Sequence, residues 1–374
     1  MQIKDVLLSV FISFFILILF LNQYNPTNNV VNVYGWYGLL PKSILEQFEK
    51  EYGIKVRFDA YDNNDVLEAK LLSGSHGYDV VFPSFIPYAS RQITMGAFGK
   101  INYKLIPNIK NTYGAITENF KKYKGNTDYV IPTLWGTIGI VYNKDTINKL
   151  FPNLKTLTYR ELMSEAYMKE FSKYGVSFPE EYIDILPQIQ TLIDDYSNFN
   201  PIINILAPIR KYVTKFNSAT VIYDILSEES CIAICSSDYA FKIISTASKL
   251  NKNIEFSIPK GSTVLWIDCM AIPKTAPHKE NAHKFINFIL QPEIAAEITN
   301  YSGILVNVSD ARKYVDDAIK ENTNIFPDDN ELIRTFILGR AIRSENDVKY
   351  DREANKVWAK IKLNKNLHSI TNNV

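Results

Sequence analysis

The stretch VVNVYGWYGLLPKSILEQFEKEYGIKVRFDAYDNNDVLEAKLLSGSHGYDVVF, residues 30–82, switches its hydrophobic period back and forth between that of a strand and that of a helix. Val30-Val31-Asn32-Val33-Tyr34 reads as a strand, and Gly35-Trp36 leads on to Pro41, a favoured first helical position. In the helix that follows, Ile44, Leu45, Phe48 and Tyr52 share a face, Glu46 and Lys50 form an i,i+4 pair, and Gly53 supplies the stop. Residues 54–61 alternate like a second strand. Asn64 is expected to cap a short helix carrying Leu67 and Leu71, Gly74 to end it, and Tyr78-Asp79-Val80-Val81-Phe82 to form a continuous buried strand. The order β-α-β-α-β predicts an α/β fold: a mainly parallel sheet with helices on both faces and a ligand crevice outside the carboxyl ends of the strands. Trp36 and Ser84 fall at those ends.

Further along, residues 129–132 and 138–142 begin a second set of strands, and 158–215 are rich in helix and poor in strand. Strands return at 231–235 and 264–272. A helix over 281–290 turns Ala282, Phe285, Ile286 and Ile289 inward, and the tail over 333–363 reads as helical. At 374 residues the chain exceeds the size at which a single core stops growing, so two lobes are expected. There is no repeat and no Pro- or Gly-rich linker, which suggests lobes joined by strands crossing a waist and able to close on a hinge. The expected division is an N-terminal lobe of 30–136 with about 268–320, and a C-terminal lobe of 137–267 with about 321–374.

Lys4 precedes an apolar run over residues 6–21, broken only by Ser9 and Ser13. Its length lies between a signal-peptide core and a spanning helix, so residues 1–24 read as a signal peptide or a retained N-terminal membrane anchor. No small-x-small cleavage site follows, and no cysteine nearby could take a lipid. Either way the bulk of the chain is exported.

With 46% hydrophobic and 22% charged residues, the composition excludes a disordered chain. A net charge of +1, from 41 basic and 40 acidic residues, gives no field that would gather nucleic acid. Three cysteines, Cys231, Cys235 and Cys269, cannot build a disulfide framework.

The most informative fragment for chemistry is Leu265-Trp266-Ile267-Asp268. Side chains two apart in a strand share a face at about 6.6 Å, so Trp266 and Asp268 point together. An indole face attracts an ammonium and a carboxylate supplies charge-assisted hydrogen bonds, which suits an amine head group. A core tryptophan beside a loop-facing aspartate would give the same pattern. Trp36, flanked by Gly35 and Gly38, is a second aromatic wall or a packing residue. Glu180, Glu181 and Asp184 form an acidic turn after Pro179 that either anchors the far end of a dication or is solvated surface. His76, His278, His283 and His368 lack zinc-ligand spacing, and no phosphate loop or nucleophile elbow is present, so neither metal nor cofactor is expected. Cys235, ahead of Ser236-Ser237-Asp238, is a buried inert thiol or a nucleophile activated by a carboxylate.

These landmarks taken together resemble the spermidine- and putrescine-binding periplasmic proteins, members of the type II solute-binding fold. The resemblance covers about residues 30–320. It is carried by Trp36, Ile44-Leu45-Glu46-Gln47-Phe48, Gly53-Ile54-Lys55-Val56, Tyr78-Asp79-Val80-Val81-Phe82-Pro83-Ser84, Ile131-Pro132 and Trp135-Gly136. Further on it rests on Phe216-Asn217-Ser218, Trp266-Ile267-Asp268, Ala271-Ile272-Pro273 and Phe285-Ile286-Asn287-Phe288-Ile289-Leu290-Gln291-Pro292. It implies a ligand cleft between two lobes, Trp36 and Trp266 sandwiching a methylene chain, Asp268 holding an amine, Ser84 in the same cleft, and Asp238 at the place of a further acidic ligand. It also implies a polyamine as ligand, an ABC permease as partner, a periplasmic monomer, and transport rather than catalysis. Rivals are a binding protein for another organic cation and an enzyme on the same fold with Cys235 as nucleophile, like the thiamine-pathway proteins. The chain departs from the family at Gly38, where relatives carry an acidic residue, at Leu39, at Cys235 or Ser236, and around Gly303, where an aromatic is usual.

Overall fold

The computed structural model describes residues 29–74, 76–121, 128–190, 192–193, 199–259, 263–327, 336–337 and 344–363. The leading apolar run and residues 364–374 lie outside them. Among the described residues no helix is long and apolar enough to cross a membrane, and the expected signal peptide or anchor over 1–24 lies outside them.

Strand β1 (Val30–Trp36) is flanked in parallel by β2 (Lys55–Tyr61) and β3 (Val80–Val81). It is buried on both faces, as covered parallel strands are. The helix Lys42–Tyr52 turns Ile44 and Phe48 inward and ends on Gly53, which takes the left-handed conformation at φ +65°. Pro41 stands just outside this helix, at its cap, rather than in its first turn. Phe48 meets Phe285 and Phe288 edge-on, at 5.2 and 5.3 Å, locking this helix against Lys279–Ile289.

Two local expectations are corrected here. The cap of the helix Asn64–Leu72 is Asn63, whose side chain accepts Val66 N–H at 2.9 Å, which leaves the Asn64 side chain for other work. The strand expected over 78–82 is only Val80–Val81, because the Asp79 carboxylate accepts Asn32 N–H at 2.8 Å and His278 N–H at 2.6 Å ahead of the ladder.

The centre of the molecule is β4 (Val130–Asn143), a single strand of 14 residues where two were expected. Its first half pairs antiparallel with β9 (Thr263–Ala271) and β10 (Leu305–Val306). Its second half pairs antiparallel with β7 (Ile232–Ser236) and β8 (Ile254–Ser257). Beyond β7 the sheet is parallel again, through β5 (Val176–Phe178) to β6 (Lys215–Phe216). Strand β9 also meets β3, and β11 (Phe336–Ile337) pairs in parallel with its first residues, so this part of the tail is strand and not helix. The rest of the described tail is the helix Glu345–Leu363.

The interior falls into two clusters. The first gathers Phe48, Phe82, Trp135 and Phe285; Ile325 and Phe326 pack with it, Phe326 lying 6.0 Å from Trp135. The second gathers Phe171, Phe178, Ile232 and Trp358. Trp266, on β9, packs against both.

Candidate functional site

Strand β9 carries Trp266 and Asp268 on one face, as their spacing predicts. Asp268 is 6% exposed and accepts a hydrogen bond of 2.7 Å from Ser84 Oγ, and a bridge pairs the two backbones. Ser84 is itself fixed by Asn64, which donates to its Oγ at 2.9 Å and accepts its backbone N–H at 3.0 Å. Trp36 ends β1 with its ring 4.7 Å from that of Tyr61, whose hydroxyl donates to the Phe82 carbonyl at 2.5 Å. The Trp36 indole N–H faces Asp268 and favours its anion without closing a hydrogen bond of good geometry.

Trp266 owes its position to Gly136, its partner across the β4–β9 ladder. A methyl group there would come within 2.5 Å of the indole and 2.7 Å of Ser237 Oγ. Next to it, Asp238 sits in the first turn of the helix Ser237–Lys249, 7% exposed, where unpaired N–H groups favour an anion. Ser236 Oγ donates to Asp238 at 2.5 Å, and Lys242 approaches it at 3.9 Å. Asp184 arrives from the other side, in the turn Tyr182–Asp184.

The charges on these groups are coupled. Burial first, and then repulsion from Asp238, raise the Asp268 carboxyl to about 7 against the pull of Ser84 and Trp36. Burial, then Glu181 and Asp238, raise Asp184 to about 7 as well. Glu181 is pushed up by burial, with Lys362 opposing. Asp238 is therefore the shared neighbour of two carboxyls, buried Asp268 and half-buried Asp184, that are only partly ionised near neutral pH and that a nearby positive charge would drive toward the anion. Among the described residues no group of three metal-ligating side chains exists, and the other hardware here is aromatic. The arrangement is chemically matched to an organic cation carrying more than one charge.

Residues 43–327 match the family of bacterial extracellular solute-binding proteins. The chain belongs to that family. This solute-binding protein is similar to the putrescine-binding periplasmic protein SpuD of Pseudomonas aeruginosa, with 32% identity over 347 residues, 90% of this chain and 93% of that one. It is likewise similar to the putrescine-binding periplasmic protein PotF of Escherichia coli, at 29% over 90% of this chain and 92% of that one. Its backbone superposes on the spermidine/putrescine ABC transporter substrate-binding protein PotD of Streptococcus pneumoniae with a TM-score of 0.76 at 19% identity, covering 89% of this chain and 99% of that one. The fold is thus the two-lobed type II solute-binding fold, with the cleft between the lobes.

In this solute-binding protein Trp36, Ser84, Trp266, Asp268, Asp238, Asp184 and Glu181 come into one neighbourhood. Glu180 and Glu181 both expose their side chains, so Glu181 reaches the site only through its charge on half-buried Asp184, and Glu180 takes part only through its carbonyl, which accepts from Trp358 Nε1 at 2.7 Å and Lys362 Nζ at 3.1 Å. Cys235 is buried, and burial followed by Asp238 and Asp184 pushes its thiol well up, the opposite of nucleophile activation. Tyr61 was not singled out by sequence, and Asn64 and Gly136 were read only as a helix cap and as a landmark of the resemblance, not as residues that position the site. The one signal was the second asparagine of Asn63-Asn64, redundant as a cap. Gly38 is explained by its turn: at φ +70° it lets Leu39 N–H reach the Trp36 carbonyl at 3.2 Å and sends Leu39 into the core.

Proposed function

We propose that this solute-binding protein captures a small di- or polyamine between its lobes and hands it to an ABC permease, without catalysing a reaction. The observation that carries the reading is the convergence of Asp268, Asp238 and Asp184, from three separate elements, beside the indoles of Trp36 and Trp266. In this reading Asp268 takes one ammonium, the indoles flank the methylene chain, and Asp238 with Asp184 takes the other end. The names of SpuD and PotF as putrescine-binding periplasmic proteins support the ligand class and a periplasmic place of action. The apolar run at 6–21 then serves export, and the protein works as a monomer. The lobes are about 30–136 with 268–327 and 137–267 with the tail helix; Phe326 packed on Trp135 argues for keeping 321–327 with the first.

Titration calorimetry on separate variants tests the site. Asp268→Asn should lower putrescine affinity by at least roughly thirtyfold, because an ammonium then sits buried beside a neutral group. Trp36→Ala should cost roughly three- to thirtyfold through the lost aromatic face. Unchanged affinity in both variants would overturn the assignment.

A further inference from the structure

Arg91 lies on the helix Ser90–Thr94, which packs with the first core. Its guanidinium grips Glu68 with a fork, Nε to Oε2 at 3.2 Å and Nη2 to Oε1 at 2.8 Å, and stacks over Tyr88 at 5.0 Å. These partners ride on the same core. The remaining nitrogen, Nη1, faces Asp351 Oδ2 at 3.7 Å. Asp351 belongs to the helix Glu345–Leu363, which buries Ala354, Val357, Trp358 and Ile361 in the second core. Its other oxygen accepts from the hydroxyl of Tyr182, the residue between Glu181 and Ile183 in the acidic turn. The two charged side chains are 18% and 13% exposed, so their attraction is poorly screened by water.

We propose that Arg91, Asp351 and Tyr182 form a clasp across the mouth of the cleft, in which Asp351 is a positioning residue that ties the acidic turn to the opposite lobe and sets how fast a captured ligand leaves. This rests on the cation-binding reading of the cleft. When the lobes part, Arg91 keeps Glu68 and Asp351 keeps Tyr182, so opening strands no buried charge and breaks a single ion pair. The contact is therefore made to be broken: it adds to the closed state without trapping it. The planar fork matters, because a lysine would offer Glu68 one point charge in place of two parallel N–H bonds and would have no separate nitrogen aimed at Asp351.

Stopped-flow release of putrescine from the full-length chain, followed by tryptophan fluorescence, tests the clasp. Asp351→Asn, which keeps an acceptor for Tyr182, and Arg91→Lys should each speed release roughly three- to tenfold, with association changed by less than about twofold. The double variant should release no faster than the quicker single one, since both remove the same contact. Unchanged release in both singles, or effects that multiply in the double, would overturn the proposal. A wild-type chain that takes up no amine would sink the ligand reading alone. The clasp is then judged on the ligand-free chain, with spin labels at Lys42→Cys and Lys173→Cys. A short-distance population that shrinks in Asp351→Asn supports it, and identical distance distributions with and without that substitution contradict it.

Discussion

Trp266 can stand between the two cores only because position 136 has no side chain. A Cβ there would lie 2.5 Å from the ring, inside any tolerable contact, so the indole would have to leave the face it shares with Asp268. Gly136→Ala should therefore weaken diamine binding about tenfold or more while costing roughly 1–3 kcal/mol of stability, measured by calorimetry and urea unfolding. The carboxyls of Asp268 and Asp184 make a second prediction. Both are raised from an ordinary 3.8 to about 7, so they favour the folded chain when protonated. Their stabilising effect is complete below the unfolded value and is lost as pH rises through about 7. A bound dication demands the ionised forms and reverses this, expelling protons as it binds. Diamine affinity should fall roughly ten- to hundredfold from about pH 7.5 to about pH 5.5, with proton release seen as a buffer-dependent binding enthalpy. A flat pH profile would remove these carboxyls from the site. The Trp266–Asp268 pairing was legible from spacing alone. Whether an acidic residue of 180–184 faces solvent or the cleft was not, because local sequence marks charge but not what packs around it.

At the level of elements, the units that the sequence announces are those whose periodicity is undisturbed. The helix Lys42–Tyr52 and strands β1 and β2 are of this kind. Strand β4, which carries Pro132, Gly136 and Gly139, was read as two, over 129–132 and 138–142, with Gly136 in the gap between them. Pro132 sits where the ladder shifts register, and the glycines make room for the rings of Trp266 and Phe256. Punctuation residues here serve the partner strand and leave the strand itself whole. The tail helix Glu345–Leu363 is similarly tied to the site by contacts remote in sequence. Arg210, 6% exposed, donates to the carbonyls of Ile361 and Lys362 at its end, and Trp358 holds the Glu180 carbonyl at 2.7 Å. Trp358→Phe keeps the ring in the core but loses that hydrogen bond. It should cost about 1 kcal/mol in urea unfolding and loosen the acidic turn, weakening diamine binding with Trp36 and Asp268 intact. An effect on stability with none on binding would mean that the turn holds itself.

For the molecule as a whole, the net charge of +1 conceals a local cluster of carboxyls, Asp268, Asp238 and Asp184, that Lys242 beside Asp238 and Lys362 near Glu181 offset only in part. Local field, not net charge, governs the approach of a cation, so association should slow as ionic strength rises, even though the chain as a whole does not attract positive charge. A rate indifferent to salt would count against an acidic cleft. The α/β class and its two lobes follow from length and the β-α-β-α-β opening, while the crossing of β4 and β9 through both halves had no local signature. The central claim is the capture of a multiply charged amine, and a thermal-shift titration of the full-length chain against putrescine, spermidine and spermine, with choline and thiamine as controls, tests it most directly. At about 100 times the dissociation constant a bound amine should add roughly 2.7 kcal/mol, a clear rise in melting temperature confined to the polyamines. An equal rise with choline or thiamine, or none with any polyamine, would contradict the account.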